Sequence, residues 1–308
     1  MNKPAVQLLQ ITKRIGAKTI IDGLTLDIYP GEVFGLLGPN GAGKTTTIRM
    51  LVGLISCTSG DITIHGHSII RDFKKAIAHI GAVVENPEFY EFMTGYQNLR
   101  HYANMYPGVS RERIEEVVSL VGLAKRIADP VKTYSLGMRQ RLGIAQALLH
   151  QPSVLILDEP TNGLDPAGIK ELREYLRQLT SKQKVAVIVS SHLLSEMELM
   201  CDRTAIIQKG TLLDILVIGE NIRNGAGSPV FLIEVDHIEN AREIMANSFN
   251  KIFFTTSGNT LEVNVPRENL PDITACFIHA GLKVYTIQPK VKSLEESFME
   301  VTSNEPID

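Results

Sequence analysis

The sequence of 308 residues has no tryptophan, only three cysteines and few aromatic residues, with Phe, Trp and Tyr together at 6%. Cys57, Cys201 and Cys276 lie far apart and are odd in number. That spacing excludes a disulfide framework and a Cys-x-x-Cys metal site, leaving three reduced thiols as the expectation. Charge of either sign is not in excess: the formal net charge is -3. This argues against a partner bound through bulk positive charge, so no nucleic acid is expected. No apolar run approaches the roughly 18 residues that span a bilayer. The opening MNKPAVQLLQITKR has no apolar signal-peptide core. The expectation is a chain kept in the cytoplasm, which at a membrane would need spanning helices from another chain. What remains is ordinary for a globular protein with a substantial core: 44% hydrophobic and 21% charged.

Apolar periodicity orders the chain. Residues 6–28 read mostly as strands, with Leu24, Leu26 and Ile28 alternating with polar neighbours. A short buried strand at 32–37 ends in a glycine-rich segment, after which TTTIRMLVGLI continues as a helix to about residue 55. Another short strand covers 61–65. Residues 86–150 are aromatic-rich loop and then helices, with Ile114, Val117, Val118 and Val121 at helical spacing. The run VLILDEP reads as a buried parallel strand. A helix at about 168–180 and the strands VAVIVSS and TAIIQ follow. Alternation of strand and helix implies a parallel sheet with covered faces, an α/β fold. Residues 221–229, NIRNGAGSP, are a linker by composition. Beyond them the order is strand 230–236, helix 237–247, a hairpin near 251–256 and 260–265, helix 270–280 and strand 283–289. That β-α-β-β-α-β order is ferredoxin-like. It predicts a small α+β domain over 230–308, closed by a helix at KSLEESFMEV.

Four segments carry chemistry. Residues 38–45, GPNGAGKT, fit G-x-x-x-x-G-K-[ST], a phosphate loop. Gly38, Gly41 and Gly43 let backbone amides converge on phosphate oxygens, and the helix starting near Lys44 adds its positive end. Lys44 is placed to reach the β- and γ-phosphates of ATP, and the Thr45 hydroxyl to ligate Mg2+. Asp158, at the end of a buried strand, can hold the same ion. Glu159 beside it can polarise the attacking water. Alone, such paired acids are as often helix caps or solvated; with a phosphate loop in a neighbouring strand they form the other half of a site. Ser135 and Gly137, in YSLGMRQRL, combine a hydroxyl, bare backbone and a helix start. They read either as a second anion site or as a simple helix cap. His192 ends the strand VAVIVSS, on the side where ligands bind in such sheets, and could contact the γ-phosphate.

In this order and spacing, these pieces resemble the nucleotide-binding subunit of ABC transporters over residues 1 to about 215. The resemblance implies a P-loop NTPase core with a parallel sheet, an N-terminal antiparallel β subdomain and a helical subdomain at about 86–150, all within a domain at 1–220. It implies Walker A at 38–46, so that Asn40, Ala42 and Thr46 join the nucleotide contacts. It further implies the signature at 134–138, Walker B ending in Asp158 and Glu159, a D-loop at 163–165 and the switch histidine His192. The ending SLEESFMEVT is similar to that of drug- and antibiotic-export members. The whole chain resembles the bacitracin and lantibiotic self-protection branch. The family implies two copies packed head to tail, each ATP lying between the phosphate loop of one and Ser135–Gly137 of the other. It also implies a separate membrane permease, which places the subunit at the cytoplasmic face of the membrane.

The sequence departs from the family pattern at three points. The usual glutamine of IGxxxQ is Glu85, which can still ligate Mg2+ or orient water. The aromatic that stacks on adenine is Ile15. The signature reads YSLGM, with Met138 in place of glutamine. Phe89, Tyr90, Phe92 and Tyr96 follow closely after Glu85. They either pack internally or form a groove for a cytoplasmic helix of the permease. Two rivals are a soluble ABC ATPase and a module that has lost catalysis. The first usually carries two nucleotide domains or long coiled coils, and the second is opposed by Lys44, Asp158, Glu159 and His192.

Overall fold

Strand-forming apolar runs and glycine-containing turns build the first part of the chain. The computed structural model describes residues 3–85, 87–218, 230–249 and 252–289. The chain divides into two units, Met1–Ile218 and Gly219–Asp308. The first unit starts with β1 (Val6–Ile15), β2 (Lys18–Ile28), β3 (Val33–Leu37) and α1 (Lys44–Leu51). Next come β4 (Ser59–Ile64), β5 (His67–Ser68), α2 (Phe73–Ile77) and β6 (Ile80–Val83). Three helices, α3 (Gly95–Ala103), α4 (Arg111–Leu120) and α5 (Leu136–Leu148), then pack against one another. The unit closes with β7 (Val154–Leu157), α6 (Pro166–Gln183), β8 (Ala186–Ser191), α7 (Leu194–Met200), β9 (Arg203–Gln208) and β10 (Thr211–Val217).

Two sheets share one core. The first is antiparallel in the order β2-β1-β4-β5, and the second runs β10-β9-β3-β8-β7-β6. In the second, β9, β3, β8, β7 and β6 are parallel and β10 is an antiparallel edge. Leu8, Ile11 and Leu26 of the first sheet meet Phe34, Ile156 and Ile188 of the second, with Ile48 and Leu51 of α1 in the same cluster. Fully buried strands need apolar residues on both faces, and β3, β7 and β8 are buried at every position.

Two expectations are corrected here. The helix after the glycine loop ends at Leu51, not near residue 55, because Gly53 turns into the left-handed region at φ 72°. The strand before Asp158 is not a neighbour of the strand before the phosphate loop: β8 lies between β3 and β7. Strand-to-strand adjacency is set by packing of the whole sheet, and β8 brings its own polar end into the site.

The second unit runs β11 (Val230–Val235), α8 (Ile238–Ser248), β12 (Phe254–Ser257), β13 (Thr260–Asn264), α9 (Leu270–His279) and β14 (Val284–Pro289). Its sheet is antiparallel in the order β12-β13-β11-β14, the ferredoxin-like arrangement. Ile233, Val235, Leu261 and Val263 on one face bury Met245, Ile273 and Phe277 of the two helices. The linker at 221–229 and the helix expected at KSLEESFMEV lie outside the described residues. Among those described, no helix is long and apolar enough to cross a membrane.

Two histidines in the first unit make folding sensitive to acid. His65 lies 4.9 Å from the His79 ring, and its Nε2 is buried without a hydrogen-bond partner. Burial first, then His79, Lys3 and His67, hold its pKa below the ordinary value. Burial likewise lowers His150, with a smaller contribution from Arg113 and an opposing one from its bond to the Ile80 carbonyl. The unfolded chain therefore takes up these protons first. Their contribution is intact above about pH 6.5 and is lost as pH falls below it. Thermal melting should show a falling Tm from pH 7.5 to 5.5, with a flatter fall in His65→Asn, which tolerates the φ of 48° at that position.

Candidate functional site

The loop between β3 and α1 is shaped by backbone that admits no side chain. A Cβ on Gly38 would lie 2.1 Å from the Ile207 carbonyl oxygen. Gly43 has φ 109°, and a Cβ there would lie 2.4 Å from Ile21 Cδ1. Gly43 starts α1 with no side-chain cap, which leaves the first amides of the helix to an anion. Asn40 and Gly41 are exposed on the loop, Ala42 is buried beneath it, and Thr45 and Thr46 are half-buried in the first turn of α1. Lys44 is only 5% exposed. Its Nζ donates to the carbonyl oxygens of Gly38 (2.7 Å) and Pro39 (3.3 Å) and lies 3.5 Å from Glu159 Oε1. A buried ammonium ringed by a carboxylate and loop carbonyls is suited to exchange them for phosphate oxygens.

The carboxylates meet this loop across the sheet ends. Thr45 Oγ1 donates to Asp158 Oδ1 at 3.4 Å. A hydroxyl and a carboxylate oxygen are hard donors of the kind a divalent cation takes together with phosphate oxygens. Among the described residues, no group of three or more His, Cys, Asp or Glu side chains is arranged to hold a metal ion. Glu159 sits at φ 46°, a left-handed conformation that costs a non-glycine residue about 1–3 kcal/mol. Its Oε2 lies 2.9 Å from His192 Nδ1. Lys44, Thr45, Asp158, Glu159 and His192, expected from separate stretches of sequence, thus form one connected cluster.

Other expected residues stand apart from that cluster. Glu85 is ion-paired with Arg49 of α1, its side chain 63% exposed. Ile15 is exposed at the end of β1. Ser135 caps α5, its Oγ accepting from the Met138 amide at 3.2 Å. One accepted bond leaves the hydroxyl proton free to donate, so the cap does not preclude an anion contact. Ser135 and Gly137 line a cavity of about 330 Å³ with Gly163, Leu164 and Asp165, and no residue of the phosphate loop lines it.

The aromatic stretch divides. Phe89 packs edge-on against Tyr102 and is half-buried, as is Tyr96. Tyr90 and Phe92 are 45% and 74% exposed, their ring centroids 5.9 Å apart. Asn98, fully buried in α3, holds this display by accepting from the Tyr90 amide and donating to the Tyr90 and Thr94 carbonyls.

Sequence reasoning missed four residues around the carboxylates. Ser190 Oγ donates to Asp158 Oδ1 at 2.6 Å and accepts from the Glu159 amide at 2.8 Å. Glu196 Oε2 accepts from both Thr161 (2.7 Å) and Ser191 (2.7 Å). The available signal was two consecutive serines ending an otherwise apolar buried strand, where a hydroxyl must find a partner.

A phosphate loop on a parallel sheet, with paired carboxylates and a histidine at the neighbouring strand ends, defines a nucleoside triphosphatase of the P-loop class. The family model for ABC transporters matches residues 21–162. An ABC transporter ATP-binding protein of Bacillus subtilis (strain 168) is 52% identical over 301 residues, covering 97% of this chain and 96% of that protein. The bacitracin transport ATP-binding protein of Enterococcus faecalis is 34% identical over 296 residues, covering 96% of each. Among solved structures, a dimeric ATP-binding cassette in a post-hydrolysis state bound to ADP and Pi shares the fold. It has 24% identity and a TM-score of 0.62, covering 69% of this chain and 98% of that one. The chain belongs to the ATP-binding subunits of ABC transporters. It binds and hydrolyses ATP as the subunit that powers a membrane transporter.

Proposed function

We propose that this subunit drives export of a peptide antibiotic, as a head-to-tail homodimer docked under a separate permease at the cytoplasmic face of the membrane. The observation that carries the dimer is the division of the site: the catalytic cluster surrounds Lys44, while Ser135 and Gly137 line a different cavity. One copy holds one of each, so two copies complete two sites. The antibiotic cargo is supported by full-length likeness to a bacitracin transport protein. Purification with the permease, followed by a screen of bacitracin and lantibiotics for stimulation of ATPase activity, tests it. Absence of stimulation by every peptide antibiotic would remove that cargo.

The geometry supports the following roles for the residues. Lys44 leaves the Gly38 and Pro39 carbonyls for the β- and γ-phosphates, with Asn40, Gly41, Ala42, Gly43 and Thr46 completing the cradle. Thr45 and Asp158 would hold Mg2+, which neutralises charge developing on the phosphates when bound. As Lys44 turns to phosphate, Glu159 loses its nearby cation and becomes a stronger acceptor. Glu159 then draws on a proton of the attacking water as its oxygen bonds to the γ-phosphorus and the bond to the bridging oxygen breaks. His192 holds the Glu159 carboxylate and faces the γ-phosphate. Glu85 would ligate the metal or orient the water only after leaving Arg49, and Ile15 would offer the adenine an aliphatic contact.

The exposed pair Tyr90 and Phe92 is the proposed seat of a cytoplasmic helix of the permease. Aromatic residues at such surfaces carry much of the binding energy. Changing either to Ala should uncouple transport by about tenfold or more while basal hydrolysis of the isolated subunit stays unchanged. Loss of soluble folding in these variants would instead mean the rings are packing residues.

A further inference from the structure

β8 ends in Ser190 and Ser191, followed directly by His192, between the strand ends that carry the phosphate loop and the paired carboxylates. Only the histidine has a role in the reading above. Ser190 is fully buried, and both of its hydrogen-bonding directions are taken. Because its oxygen accepts the Glu159 amide, its own proton is directed to Asp158. The Glu159 backbone is left-handed, so it persists only where its surroundings fix it. The Ser190 bond is one such constraint, and the bond from the Asn162 amide to the Glu159 carbonyl (3.1 Å) is another.

The second serine extends the same constraint. Ser191 and Thr161 donate to a single oxygen of Glu196, in the first turn of α7. The Thr161 carbonyl accepts from the Leu164 amide at 3.0 Å. Leu164 lines the cavity that contains Ser135 and Gly137. Hydrogen bonds therefore tie the segment 158–164 to the end of β8 at two places, directly at Asp158 and Glu159 and through Glu196 of α7 at Thr161. The second tie lies three residues before Leu164 of the surface offered to a second copy.

We propose that Ser190 and Glu196 are positioning residues for ATP hydrolysis. Ser190 aims Glu159 and Asp158 by holding the Glu159 amide and the Asp158 carboxylate. Glu196 clamps Thr161, so that the 163–165 loop and Glu159 move as one piece. Neither touches the nucleotide. This rests on Glu159 acting on the attacking water.

The test is single-turnover and steady-state ATPase measurement on the full chain, with ATP affinity and Tm recorded for every variant. Ser190→Ala should lower kcat by about 10- to 100-fold, the size expected when a catalytic group shifts by a fraction of an ångström to an ångström. KM and ATP affinity should stay near wild type, and Tm should fall only by about the few degrees that a buried amide left without its acceptor costs. In a Glu159→Gln background, Ser190→Ala should add less than its loss in the wild-type background, because the part of its action that runs through Glu159 is already gone and only the bond to Asp158 remains to be lost. Glu196→Ala should lower kcat as well, and Glu196→Gln should restore it, since an amide oxygen can accept both hydroxyls. An unchanged kcat in Ser190→Ala, a fully multiplicative loss in the double variant, or a Glu196→Gln as impaired as Glu196→Ala would each overturn the proposal. Should Ser190→Ala fail to fold, the half-buried Glu196 pair decides the question. Full turnover in Glu159→Gln alone would instead remove the role of Glu159, a separate failure.

Discussion

Glu159→Gln is expected to lower steady ATP turnover by about 10²–10³-fold while ATP binding stays within a few-fold of wild type. The amide is nearly isosteric and keeps one oxygen, enough for Lys44 or His192 but not both. What it loses is the charge that draws on a proton of the water. Binding is proposed to depend on the phosphate loop and Lys44, and removing a nearby negative charge does not weaken a site for a polyanion. The measurement pairs a phosphate-release assay with nucleotide titration on the same preparation. Turnover retained within tenfold would assign the water to another group, with His192 next in line by position. Loss of binding together with turnover would mean that the ion pair with Lys44, at 3.5 Å, holds the loop open.

A second large effect comes from mixing two inactive variants. Lys44→Ala removes the phosphate contact, and Gly137→Arg fills the cavity at the start of α5. In the proposed head-to-tail arrangement, each homodimer should be nearly inactive, because every composite site would contain one lesion. In a mixed dimer both lesions fall on one site and the other site is intact. Random pairing makes half of the dimers mixed, with one good site of two, so about a quarter of wild-type turnover should return if the sites act independently. The assay is ATPase activity against mixing ratio, with a maximum at equal amounts. A mixture as inactive as its parents, with mixed dimers verified by mass, would place Ser135 and Gly137 outside the hydrolysing site.

The legibility of the site differed residue by residue. Lys44 and Thr45 could be read directly, because a loop that cradles phosphate needs glycines at fixed offsets and a helix immediately after. Asp158 and Glu159 were legible as a pair at the end of an apolar run. His192 was legible only as a polar residue after another such run. In the second unit, alternation and turn residues were enough for the strand order, since a six-element antiparallel unit has few ways to bury one face. The end of α1 was misplaced because the apolar pattern ran on past Gly53, whose backbone conformation ended the helix.

What the sequence determined by itself was the set of chemical groups and the local structure that presents each one. Local motifs are encoded by neighbours in the chain, through backbone sterics and periodic burial. Only the tertiary structure decided which groups meet. It put β8 between β3 and β7, and with it the Ser190 hydroxyl between Asp158 and Glu159. It paired Glu85 with Arg49, left Tyr90 and Phe92 in solvent, and set Ser135 and Gly137 in a cavity apart from Lys44. Those contacts join residues up to more than a hundred positions apart, as with Thr45 and Asp158. They arise from how whole strands and helices pack, which no local pattern records.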